Sequence, residues 1–372
     1  MTTTAPASPA LMEQWMEEGG SYVFYRYPGQ GVIHALRTTQ PPLRSNTLNM
    51  PPEADGFALA PYHLDPEHPL WWLPADECAT LQLPPRPADV VEAPRAVPCC
   101  GTWHAEPTPS YAQAFARCIT SIERHSFEKL VLSRREQVAP QPGFSWTRAF
   151  VAACARFVHS YVYLLHTPHT GYWMGATPEV LLSGHDDEYT TVALAGTQVA
   201  DDNSHADGVP HMTWSPKNIR EQQYVSDYVC SCLQRLQLQP QAEGPYTVTA
   251  GQLAHLKSVV RFTLPHQDMR WQLLQTLHPT PAVCGLPAHE AMDYTREVED
   301  YDRGYYSGFL GRITPHEAHL YVNLRCMQGQ GHSLTLYAGG GLIASSSLQE
   351  EWIETERKLQ TMKYVIEKGY AC

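Results

Sequence analysis

Glu179 lies in the run Gly175-Ala176-Thr177-Pro178-Glu179-Val180-Leu181-Leu182, between a proline and an apolar stretch where water should be scarce. A carboxyl group kept from solvent favours its protonated form and can serve as an acid near neutral pH. After a polar turn, Thr191-Val192-Ala193-Leu194-Ala195-Gly196-Thr197 ends in small residues that let a ligand approach the backbone closely. Near the end of the chain, Glu351 and Glu354 stand three apart and Lys358 four further on, so a helix would place all three on one face. Glu221 precedes Val225 by four and Val229 by eight, which puts a carboxylate on the apolar stripe of a helix. Burying it is costly unless it is paired or coordinates a cation. Each position also has a plainer reading: a solvated Glu–Lys pair on the closing helix, and a structural salt bridge at Glu221.

The elements that must position these groups are legible in outline. Thr108-Pro109 is a helix start, followed by Tyr111, Phe115, Cys118 and Ile122 at helical spacing. Strand expectations fall on Lys129 to Ser133, on Tyr161 to His166 and on the two segments around Glu179, with a helical turn at Pro178. Helices are expected over Ser145 to Val158, Pro216 to Leu236, Pro287 to Asp300 and Gln349 to Lys368. Three strands, Tyr305 to Ile313, His319 to Cys326 and Ser333 to Ala338, fill the last third. Residues 1–105 are proline-rich and carry no catalytic constellation; short strands with rigid turns, completing a sheet, are the expectation there. Residues 106–372 then form the catalytic region. Clustered strands with interspersed helices favour an α+β fold over a doubly wound sheet.

Composition narrows the function. The chain has 372 residues, 43% of them hydrophobic, enough for a sizeable core in one or two domains. A net charge of −12 argues against nucleic acid and against anionic membrane surfaces, both of which select basic faces. An anionic substrate would therefore need local cations or a metal. No apolar run approaches the roughly 20 residues of a membrane span, and Met1 to Gly20 lacks the pattern of a secretion signal, so the expected compartment is the cytoplasm. The ten cysteines show no metal or disulfide spacing, which suits free thiols in a reducing compartment.

Taken with Leu277-His278-Pro279-Thr280-Pro281-Ala282-Val283 and Leu336-Tyr337-Ala338-Gly339-Gly340-Gly341, the motifs around Glu179 and Thr197 resemble the chorismate-utilising enzymes: anthranilate, aminodeoxychorismate, isochorismate and salicylate synthases. The resemblance covers about residues 108–364. It implies two large antiparallel sheets packed face to face with helices outside, chorismate as substrate, and Mg²⁺ as cofactor. It also implies a role for each matching residue: Glu221, Glu351 and Glu354 toward Mg²⁺, and Lys358 and Arg325 toward substrate carboxylates. Gly339 and Gly341 would offer backbone amides, and Tyr306, Ala195, Gly196, Thr197 and His255 would complete the substrate wall. Where the family has a Glu-His pair, this chain has Glu221-Gln222. His278, before a proline, reads as a turn-shaping residue.

Two positions choose among the family's reactions. The amine-transferring members with a covalent lysine resemble Pro-Ile-Lys-Gly-Thr where this chain has Ala193-Leu194-Ala195-Gly196-Thr197, and Ala195 cannot attack a ring. Lys129 stands where ammonia-using members have Gln and water-using members have Lys. Water needs a general base and ammonia does not, and a lysine acts as base only when neutral, which burial favours. By itself Lys129 also fits a strand-edge lysine that guards against aggregation. The implied reaction is an isochorismate synthase: Lys129 activates water for attack at C2, and Glu179 protonates the departing C4 hydroxyl. The product would feed menaquinone biosynthesis rather than a siderophore. No glutamine amidotransferase subunit is expected, and the chain would be a monomer or weak homodimer. Salicylate synthase, which goes on to eliminate pyruvate, is the runner-up; an anthranilate or aminodeoxychorismate synthase component and an inactive binding homologue stand behind it.

Overall fold

The computed structural model describes residues 9–49, 54–84, 103–199, 212–250 and 253–370. Two nine-stranded, wholly antiparallel sheets dominate it. The first runs, edge to edge, through Gly285–Leu286, Lys129–Val138, Ser333–Leu342, Cys326–Gln330, Gly171–Thr177, Tyr161–Thr167, Ser21–Arg26, Val32–Thr38 and Glu77–Gln82. The second runs through Gln241–Ala250, Leu253–Thr263, Glu188–Val199, Val180–His185, Glu317–Val322, Phe309–Ile313, Gly56–Ala60, Leu70–Pro74 and Leu43–Ser45.

Side-chain alternation stacks the sheets. On Ser21–Arg26, Val23 and Tyr25 point to the second sheet while Tyr22 and Phe24 point outward; on Tyr161–Thr167, Tyr161, Tyr163 and Leu165 point inward while Val162 and Leu164 point outward. Strands covered on both faces bury every residue, so Ser21–Arg26 reads as a continuous run with no polar face. The layer between the sheets is aromatic, with Trp173, Tyr337 and Tyr306 stacked in series at centroid separations of 5.6 and 5.2 Å. Such pairs add about 0.5–1.5 kcal/mol each beyond their buried area.

Helices Pro9–Glu18, Trp146–Arg156 and Leu348–Lys368 cover the outer face of the first sheet; Pro216–Arg235 and Met269–Leu277 cover that of the second. Pro109–Glu123 and Ala288–Val298 close the edge near Lys129–Val138. Caps fix where the long helices begin: Thr108, Ser215 and Ser347 accept from the amides of Tyr111, Asn218 and Glu350. Each cap contributes about 1 kcal/mol. The first helix, and the strands over 241–263, carry too little periodicity to be read in advance. The described cysteines are free thiols, all but Cys78 and Cys230 buried; Cys99, Cys100 and Cys372 lie outside the described residues.

Two expectations about strands are corrected. The segment Tyr305 to Gly308 is a turn, with Gly304 at φ 53° and Ser307 at φ 63°, and the strand begins only at Phe309. The expected strand His319 to Cys326 is two strands in different sheets, Glu317–Val322 in the second and Cys326–Gln330 in the first. Between them Arg325 adopts φ 48°, a left-handed conformation that is uncommon for a residue with a Cβ. The same happens at Pro178, where no helical turn forms; Pro178-Glu179 instead carries the chain from Gly171–Thr177 in the first sheet to Val180–His185 in the second.

Candidate active site

The two crossings lie side by side. The Thr177 hydroxyl donates to Val322 O (2.7 Å), the Val322 amide donates to Glu179 O (3.0 Å), and the Ala176 amide donates to Arg325 O (3.1 Å). A gap between the sheets opens there, a cavity of about 70 Å³. Of the residues singled out from the sequence, Glu179, Ala195, Gly196, Thr197, Glu221, His255, Tyr306, Arg325, Gly339, Gly341, Glu354 and Lys358 line it. Lys129 and Glu351 stand immediately behind this wall.

Glu179 is 4% exposed, and burial pushes its carboxyl up to about 8 against the opposing pull of Lys129 and Lys358. It therefore holds its proton at neutral pH. Opposite it, Arg325 is buried, and its guanidinium donates to His255 Nε2 at 3.3 Å. Burial draws the guanidinium down to about 10, partly offset by Glu354 and Tyr306. Burial, with Arg325 and Lys358 beside it, keeps His255 well below its ordinary range and so neutral. With Nε2 accepting from Arg325, His255 carries its proton on Nδ1, 3.3 Å from the Thr197 hydroxyl. Thr197 pairs with His255 across a bulge at Gly196, whose φ of 69° suits glycine, and Asn218 fills the place a Cβ would take. His255 thus serves as a strut for Arg325, a part the sequence did not suggest.

Three lysine–glutamate pairs ring the glycine strand. Lys129 Nζ, on a side chain with no exposure, lies 3.0 Å from Glu221 Oε1. Burial favours the neutral form of Glu221, but Lys129, Lys217 and Lys358 outweigh it and hold the carboxyl below its ordinary value. Lys358 Nζ donates to both Glu354 Oε1 and Gly339 O at 2.7 Å. Lys217 Nζ closes on Glu351 Oε1. Lys129 is therefore no edge lysine, since Gly285–Leu286 pairs with its strand on the open side. Gln222, by contrast, points away from the carboxylates: its Nε2 donates to Ala193 O and Ser258 Oγ.

The donor set suits a hard divalent cation. Glu351 Oε2 is buried with no hydrogen-bond partner, which a bound cation would correct. A Cβ on Gly340 would lie 3.0 Å from Glu351 Oε2 and 3.9 Å from Glu354 Oε1, so both oxygens face that glycine. Glu221 does not join them in one tight cluster; among the described residues only Asp65, His68 and Asp302 bring three ligand atoms within 4.8 Å of one another. Mg²⁺ commonly takes one or two carboxylates and completes its shell with water and ligand oxygens, which this spacing allows.

Gly341 is needed for steric reasons. A Cβ there would collide with Glu221 Oε1 and come within 3.0 Å of Lys129 Cε. Gly341→Ala is expected to cut turnover at least about 100-fold by displacing one of the two, while overpacking costs the fold only about 1–3 kcal/mol. Steady-state kinetics beside a urea unfolding curve checks both. Sequence reasoning missed Lys217 and Asn218: a lysine in the first turn of a helix looks solvated, and nothing local signals a partner 134 residues away.

The architecture and this cleft define a class before any comparison is made: a two-sheet α+β enzyme with a buried acid and a ring of lysine–carboxylate pairs. The family model for chorismate binding enzyme matches residues 91–367, and the chain belongs to that family. It is 27% identical over 275 residues to isochorismate synthase DhbC of Bacillus subtilis, covering 70% of this chain and 69% of that protein. Isochorismate synthase MenF of Haemophilus influenzae is 30% identical over 189 residues, 50% of this chain and 44% of the other. In structure, the chain resembles a 2,3-dihydroxybenzoate-specific isochorismate synthase from Bacillus anthracis with a TM-score of 0.78 at 22% identity, covering 96% and 99% of the two chains. The two-sheet fold expected from the resemblance is thereby established. No helix among the described residues is long and apolar enough to cross a membrane.

Proposed function

We propose that the protein is an isochorismate synthase that adds water to C2 of chorismate with loss of the C4 hydroxyl. The observation that carries this reading is the pairing, around one cleft, of a carboxylic acid that is protonated at neutral pH, Glu179, with a buried amine, Lys129. The names of the relatives agree with it.

In the mechanism, Arg325 and Lys358 hold the substrate carboxylates with the Gly339 and Gly341 amides, fixing the ring between Glu179 and Lys129. Lys129 first passes a proton to Glu221 Oε1, 3.0 Å away, and the neutral Nζ then takes a proton from water as the water oxygen bonds to C2. Both ring double bonds shift, C1=C2 to C6=C1 and C5=C6 to C4=C5, the C4–O bond breaks, and Glu179 gives its proton to the departing oxygen, which leaves as water. Glu351 and Glu354, with Glu221 nearby, would hold Mg²⁺, which when bound supplies positive charge for a substrate carboxylate. Neutral His255 keeps Arg325 aimed without adding a competing cation.

Proton NMR of chorismate incubated with protein and Mg²⁺, with an EDTA control, tests this. Isochorismate accumulating toward an equilibrium mixture, and none with EDTA, is the expected result. Salicylate with pyruvate would replace the reading by the two-step synthase, and unchanged chorismate in both tubes would replace it by a binding homologue. The product is proposed to enter menaquinone biosynthesis, which restoration of menaquinone in an isochorismate-deficient bacterium would check.

A further inference from the structure

Lys217 takes no part in the reaction above, yet its ammonium closes on Glu351, a carboxylate whose side chain is 1% exposed. The lysine is at the start of Pro216–Arg235 and the glutamate at the start of Leu348–Lys368, so the contact joins two helices that cover different sheets. Only one oxygen of Glu351 is engaged this way. The other, Oε2, has no partner and faces Gly340 beside Glu354 Oε1. The Lys217 side chain is 24% exposed, so its flexible stem runs from the surface inward and its charged end has a short route back to water.

We propose that Lys217 is a tethered stand-in for the divalent cation: its ammonium neutralises Glu351 while the metal is away and withdraws to solvent when the metal binds. This rests on reading Glu351 as a metal ligand. A group that stabilises only the metal-free state competes with the metal, and it weakens the apparent affinity by the factor of that stabilisation. Without Lys217, the metal-free protein would have to hold Glu351 as a buried anion or protonate it, and either is less favourable than the ion pair. The lysine therefore lets the protein fold without metal and keeps the metal exchangeable.

The test uses the full chain and Lys217→Met, which keeps the stem and removes the charge. Mg²⁺ binding is measured by calorimetry without substrate, and thermal unfolding with and without saturating Mg²⁺. The expected result is an affinity raised by about tenfold or more, a lower melting point for the metal-free variant, and melting points that converge when Mg²⁺ is saturating. Lys217→Arg, which keeps the charge, should bind Mg²⁺ within a few fold of the unchanged protein. A Met variant that folds only in Mg²⁺ is the extreme form of the same result. Equal melting losses with and without Mg²⁺, or an unchanged or weakened affinity, overturn the proposal while leaving the metal reading intact. A protein with Lys217 in place that takes up no Mg²⁺ overturns both.

Discussion

Glu179→Gln is expected to lower turnover of chorismate by about 10²–10⁴-fold, the range a positioned general acid supplies, with chorismate binding changed only a few fold. The substitution keeps the size and polarity of the side chain but removes the proton that the C4 oxygen needs. The pH profile gives a sharper readout. With the carboxyl pushed up to about 8 by burial, kcat/KM should fall as pH rises past that value, because the acid is then lost. Stability has the same sign. The ordinary value is 4.5 and the folded value is higher, so between them the native state holds a proton that the unfolded chain has released. The contribution is complete below about 4.5 and is lost as pH climbs through about 8. Glu179→Gln should flatten that part of the stability curve, measured by urea unfolding at several pH values. Near-normal turnover in the variant, with the alkaline limb unchanged, would remove Glu179 from the acid role.

Lys129→Gln should abolish water addition, again by at least about 10²-fold, while the two-sheet fold persists. The second consequence is electrostatic. Glu221 is held ionised against its own burial chiefly by Lys129, so its carboxyl should move up toward and beyond the ordinary range in the variant. Removing one partner of a buried pair costs about 3–5 kcal/mol, and the glutamine amide, able to donate to Glu221, offsets part of this. A circular dichroism spectrum like that of the unchanged protein, with no isochorismate by NMR, is the expected pair of results. Isochorismate formed at an ordinary rate would sink the role of base.

The site was more legible than the framework that holds it. Glu179 and Glu221 announced themselves because acids in apolar company are costly, and both are buried in the cleft wall, whereas the Glu351–Lys358 face read by itself as a solvated pair and gained its role only from the resemblance. Tyr111, Phe115, Cys118 and Ile122 marked their helix because one face of it is buried. Arg325 was harder. Leu320-Tyr321-Val322-Asn323-Leu324-Arg325-Cys326 reads as one strand, with no glycine or proline to show that the chain changes sheets within it. The device is Asn323, fully buried, which accepts from the Tyr163 hydroxyl and donates to Tyr305 O, contacts that exist only once both sheets are in place. Lys217 was illegible for the same reason, its partner being remote in sequence. Periodicity reports which face a segment buries; it carries no information about which distant segment meets it.

The order of strands bears on how the polypeptide emerges during synthesis. Phe309–Ile313 and Glu317–Val322 sit in the middle of the second sheet, and Cys326–Gln330 and Ser333–Leu342 in the middle of the first, each pair between strands made much earlier. Until these four have left the ribosome, both sheets are split, and strands such as Gly171–Thr177 and Gly56–Ala60 present open hydrogen-bonding edges. A nascent chain of some three hundred residues thus waits with several adhesive edges for a late wedge that closes both sheets at once. Open edges of this kind pair readily with other chains until they are covered. The catalytic cleft, flanked by these late strands, is among the last features of the molecule to come into being.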